Sequence, residues 1–73
     1  MLNVSLVSAG HVRRYSIALA GADGWEVRLE EDSAVRWRHT WTDWHRVERA
    51  RARLEHEVST LLESGWRLEP VSR

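Results

Sequence analysis

The chain has no cysteine, no phenylalanine and no lysine, a single proline, and no surplus of either charge. Without cysteine it can form neither a disulfide nor a thiolate zinc site. A chain of 73 residues buries only about 60% of the surface its unfolded form exposes, and the covalent staples that rescue such small chains are absent. Its core must therefore come from large side chains or from association. Five tryptophans in place of phenylalanine fit the first route, since an aromatic residue buries on the order of 150–250 Å². Eleven basic residues, all arginine, balance eleven acidic ones. Zero net charge removes the global attraction to nucleic acid or an anionic membrane and makes self-association easier. Arginine still offers planar bidentate and stacking contacts that lysine cannot. No apolar run approaches the roughly 18 residues of a membrane span. The N-terminal "MLNVSLVSAGHVRR" has no charged segment before its apolar part, as a secretory leader would require. The reading is a cytoplasmic chain folding as one domain over residues 1–73, with no membrane contact.

What is present is alternation. Leu2, Val4 and Leu6 share one face of a weak strand that Gly10 ends, so residues 1–10 read as an edge strand or a frayed arm. Tyr15, Ile17 and Leu19 alternate with Ser16 and Ala18. After the turn signal "GADG" (21–24), Trp25, Val27 and Leu29 alternate with Glu26, Arg28 and Glu30. A second turn, "EDS" (31–33), leads to Val35, Trp37, His39 and Trp41 alternating with Arg36, Arg38 and Thr40. For the apolar faces to coincide, the loop needs an odd number of residues, and three is the common choice. That register turns Val35, Trp37 and Trp41 into the core. It puts His39 on the core face near the sheet's end with one nitrogen hydrogen-bonded. Arg28, Arg36 and Arg38 fall on the outer face, where pairing with Glu26 and Glu30 is expected.

A helix follows, capped by Thr42 or Asp43 and ended by Gly65, about 22 residues long. Val47, Ala50, Leu54, Val58, Leu61 and Leu62 form its apolar stripe. Glu48–Arg51, Arg51–Glu55 and Arg53–Glu57 have the spacing of supporting ion pairs. Trp66 is placed to fold back on the last turn, and "WRLEPV" alternates with Trp66 and Leu68 inward, a further strand that Pro70 would stop. The fold class is α+β: a three- or four-stranded antiparallel β-meander with one long amphipathic helix on one face, and extra edge strands at either end.

No nucleophile elbow, phosphate loop or convergent metal-ligand set is visible, so no catalytic, cofactor or metal residue is assigned. His45 and His56 lie about 16 Å apart along the helix, too far to share an ion. The informative charges are basic. His45, Arg46, Arg49 and Arg53 occupy the side of the helix away from the apolar stripe. Arg46 and Arg49 sit near the helix N-terminus against the dipole, as an acidic partner would favour. Trp44 lies at the edge of the stripe and is expected to be partly exposed. The candidate partner-binding residues are therefore Arg28, Arg36, Arg38, Trp44, His45, Arg46, Arg49 and Arg53. The first expectation is a protein partner or a homo-oligomer, through a sheet edge or helix flank.

The second expectation is nucleic acid. "AVRWRHTWTDWHRVERA", with arginines alternating with tryptophans before a Thr-Asp helix start, resembles plant Apetala-type and phage integrase N-terminal DNA-binding domains in topology and composition, over about fifty residues. That resemblance implies that Arg28, Arg36 and Arg38 meet DNA from the outer face of the sheet. Glu26 and Glu30 on that face depart from the pattern, because they would repel phosphate.

Overall fold

A computed structural model describes residues 2–69. Four strands run consecutively, β1 (Leu2–Ser8), β2 (His11–Leu19), β3 (Trp25–Glu31) and β4 (Ala34–Trp41). The helix α1 (Trp44–Glu63) and a short β5 (Arg67–Leu68) complete the chain. All neighbours pair antiparallel in the order β4-β3-β2-β1-β5. The architecture is the expected α+β meander with a helix on one face, and both optional edge strands form. Pro70 lies outside the described residues.

One of the turns is tighter than the sequence suggested. Ala9 and Gly10, and likewise Asp32 and Ser33, all have positive φ, as the two central residues of a type I′ hairpin turn must. The β3–β4 loop thus has two residues rather than three. Parity is restored by a bulge: Leu29 pairs with Trp37 but Glu30 pairs with Val35, leaving Arg36 over. Val35 consequently joins the face of Glu30, opposite to the expected one, and is 53% exposed. The β2–β3 connection is longer and contains a single turn of 3-10 helix, Gly21–Asp23. It closes with Gly24 at φ +87, where any Cβ would overlap the carbonyl oxygen of Trp41. That position needs glycine for both space and backbone conformation.

Helix α1 has 20 residues. Asp43 caps it by accepting from the His45 backbone N–H at 2.9 Å. At the other end the Trp66 N–H donates to the Leu61 carbonyl and the Gly65 N–H to that of Leu62, a Schellman closure with Gly65 at φ 108. Of the three expected ion pairs only Arg51–Glu55 forms, at 2.8 Å. Glu57 turns instead to Arg13 on β2, which also binds Glu31 and lies over the Trp66 ring at 5.7 Å from its centre. Arg13 thereby ties β2, β3, the helix and the chain beyond it together.

The core is small. Leu6, Tyr15, Ile17 and Val27 from the sheet meet Val47 and Leu54 from the helix. Around them pack Leu2, Val4, Trp25, Leu29, Trp41, Ala50, Val58, Leu61 and Trp66. The fully buried sheet residues come from β1, β2 and β3; neither edge strand supplies one. A single helix is about 10–12 Å across while strands lie about 4.8 Å apart, so a five-stranded sheet overhangs it on both sides. Leu68, paired with the buried Leu6, is an inward residue left uncovered. Leu62, expected in the apolar stripe, is likewise exposed.

Candidate partner-binding groove

The overhang at β4 makes the most distinctive surface of the molecule. Trp37, opposite the core-packed Leu29, and Trp41, itself packed on the core, face the helix side. The helix reaches only the Trp41 end. Trp37, expected in the core, is 42% exposed. His39 is exposed as well, and among the described residues its ring has no hydrogen-bond partner, contrary to expectation. The three rings instead form a compact cluster. His39 and Trp41 are 4.2 Å apart between centres, Trp37 and His39 are nearly parallel at 6.3 Å, and Trp37 and Trp41 stand 6.1 Å apart. Strand geometry places alternate residues side by side, and mutual packing holds the rings in place.

Helix α1 forms the second wall. Trp41, Arg46, Arg49, Ala50 and Arg53 line a depression of ≈ 360 Å³. A neighbouring one, bounded by Asp23, Thr40, Thr42 and Asp43, shares Trp41 and Arg46 with it. Helix spacing explains the row: positions 46, 49 and 53 lie three and four apart, on one flank. Each of the three side chains is exposed. Among the described residues none of them has a carboxylate within 4.0 Å, whereas Arg13, Arg28, Arg36, Arg38 and Arg51 all do. Arg14, which binds the Ser5 hydroxyl, and Arg67 are also without one, but neither borders the groove.

The outer face of the sheet is different. Arg28 sits between Glu26 at 2.7 Å and Glu30 at 3.2 Å, and Arg38 approaches Glu26 at 4.0 Å. Both carboxylates hold the Arg28 guanidinium firmly in its charged form, the hydrogen bond to Glu30 contributing most. Arg36, displaced by the bulge, reaches Glu31 at 3.4 Å. Of the expected cross-strand Glu–Arg pairs only Arg38–Glu26 forms; Arg28 pairs within its own strand and Arg36 pairs with Glu31, so each of the three has a carboxylate that competes with a phosphate. Four strands, not three, precede the helix, so the topology also departs from the DNA-binding domains that the sequence resembles.

Of the eight candidate residues the structure brings Arg46, Arg49 and Arg53 together in the groove, leaves Arg28 and Arg38 on the opposite side of the sheet, and pairs Arg36, at the bulge, with Glu31. His45 is exposed at the first helical turn. Trp44 packs on Trp25 with ring centres 4.9 Å apart and stays 37% exposed, the partial exposure expected of it. Sequence phase missed Trp37, His39 and Trp41 as site residues, because it assigned them to the core by their side of the sheet.

A second cluster joins the two tight turns. The His11 ring nitrogen Nδ1 and the Val12 backbone N–H both bond the Asp32 carboxylate, each at 2.9 Å. The hydrogen bond to Asp32 raises the His11 pKa above its usual value, and the same bond lowers that of Asp32. Among the described residues no group of three or more His, Asp or Glu side chains is placed to hold a metal ion, and no helix is long and apolar enough to cross a membrane.

Compared with the models of known protein families, with curated proteins and with solved structures, the chain matches none.

Proposed function

We propose that this chain is a small, non-enzymatic binding module whose anionic macromolecular partner docks in the groove between β4 and α1. The observation that carries the reading is the juxtaposition of uncovered aromatic rings with arginines that no carboxylate neutralises. Zero net charge had counted against such a partner. That zero is a sum over the whole chain. Arg28, Arg36 and Arg38 are offset locally by Glu26, Glu30 and Glu31, while Arg46, Arg49 and Arg53 keep their charge and carry it on one flank. Local potential, not total charge, is what a docking anion meets.

Self-association through the sheet edges has less support. β5 has only two residues, and the β4 edge carries a bulge at Arg36 together with Arg38. Short strands, bulges and charged side chains are the devices that block edge-to-edge pairing. A two-fold contact centred on Arg38 would also set that charge against its own copy.

Retention on immobilised heparin tests the reading with two variants of equal net charge. The wild type is expected to be retained at about 50 mM salt. Arg49→Ala/Arg53→Ala abolishes that retention, and Arg36→Ala/Arg38→Ala leaves it almost unchanged. Equal loss in the two double variants, or no retention of the wild type, overturns the proposal.

A further inference from the structure

We infer that the partner in this groove is single-stranded nucleic acid, with bases stacking on the Trp37–His39–Trp41 cluster and the backbone running along Arg46, Arg49 and Arg53; the inference rests on the groove being the binding surface. Proteins that hold single strands without reading sequence combine two elements: a basic wall that follows the phosphates, and aromatic faces on which successive bases stack. Both elements are present here, and they meet at Trp41, which lines one depression together with Arg46, Arg49 and Arg53. The aromatic side is a strand whose three rings gather with centres 4.2 to 6.3 Å apart. The basic side is a helix flank, so its guanidinium groups recur along a line.

From Arg46 to Arg53 the helix advances about 10 Å at 1.5 Å per residue. A stacked strand rises ~3.4 Å per nucleotide, so the three arginines span about three phosphates. Asp23 and Asp43, which border the depression next to Arg46, repel further phosphates and end the basic track at that side.

An acidic protein segment is the competing occupant, and the rings argue against it. Carboxylates would satisfy the arginines but would leave a cluster of exposed aromatic rings without a flat partner. Duplex DNA would satisfy the arginines too, yet it keeps its bases stacked inside, beyond reach of rings fixed on a sheet. Arginine also serves both sides of the binding, because its planar guanidinium pairs with phosphate and stacks on bases.

The test is fluorescence anisotropy of a labelled twelve-residue oligo(dT) titrated with the whole chain, beside a duplex of the same length and a poly-glutamate peptide of equal charge. Oligo(dT) is expected to bind at least ten-fold more tightly than either. With about three phosphates neutralised, the slope of log affinity against log salt should be near −2, an affinity loss of roughly 20-fold between 50 and 200 mM. Arg49→Ala and Arg53→Ala should each reduce that slope by about 0.7. Trp37→Ala should weaken binding roughly ten-fold with the slope unchanged. Positions 37, 49 and 53 are exposed, so these variants should fold, and circular dichroism checks that they do. If oligo(dT) binds no better than poly-glutamate or duplex while Arg49→Ala still weakens all three, the nucleic-acid assignment falls and the groove stands. If none binds, both fall.

Discussion

Strands β3 and β4 and the groove side of the helix each carry three arginines, and the two sets have opposite consequences. Arg28 lies between two glutamates of its own strand, and Arg36 and Arg38 lie beside glutamates of the neighbouring strand, at distances of 2.7 to 4.0 Å. Arg46, Arg49 and Arg53 lie beside tryptophan and alanine. The first set is part of the fold's own construction. The second does nothing visible for the fold, and Arg46 and Arg49 oppose the helix dipole near its start. Charge that local structure does not use is the better guide to a partner than charge that it does.

The largest effect on this contrast comes from the corner that holds β4 in place. Gly24→Ala puts a methyl group into the Trp41 carbonyl and forces a positive φ on alanine, so it should destabilise by about 3 kcal/mol or more. For a chain this small that nears its whole stability. Urea denaturation would reveal it, and a near-native midpoint would mean that β4 can shift without loss. A smaller effect separates the arginine sets directly. Arg28→Ala strands Glu26 and Glu30 beside each other and should lower the urea midpoint clearly. Arg49→Ala should leave stability within about 0.5 kcal/mol of wild type. Equal midpoints for the two variants would erase the distinction.

The smallest effect concerns the turn clamp, which lies apart from both arginine sets. Folding raises the His11 pKa, so its contribution is complete below the unfolded value of about 6.5 and fades as pH rises through the folded value. Folding lowers the Asp32 pKa, so its contribution is complete above the unfolded value of about 3.9 and fades as pH falls through the folded value. The stability difference between wild type and Asp32→Asn should therefore be greatest between about pH 4 and 6.5 and should shrink above it. Asparagine keeps the turn, since it tolerates the left-handed backbone of this position. A difference that does not vary with pH would show that the ion pair contributes nothing.

Much of the fold was legible because its signals are local. Asp43 and Gly65 mark the helix ends by the backbone groups they satisfy, and Trp66 follows from the same closure. The meander followed from alternation. Two things were not legible. The bulge at Arg36 was missed because a two-residue turn plus one extra residue gives the same parity as a three-residue loop, and only the side of Val35 tells them apart. The groove was missed for a different reason. Alternation says which side of a sheet a residue faces, not whether anything covers it there. Trp37 faces the helix side as expected, but the helix is narrower than the sheet. The paired glutamates of the outer face, by contrast, follow from the strand pattern alone.

The two residues of β5 carry a consequence for how the molecule assembles. Strands β1 to β4 join neighbours in the chain, and each pairing closes a short loop. β5 pairs Leu68 with Leu6, bringing together opposite ends of nearly the whole chain. The entropy of closing so long a loop is spent before two residues of ladder can offset it. β5 therefore docks last, onto a sheet and helix already formed, and its loss speeds unfolding more than it slows folding. The groove lies at the far edge of the sheet, so the surface assigned to binding is built before the last strand closes.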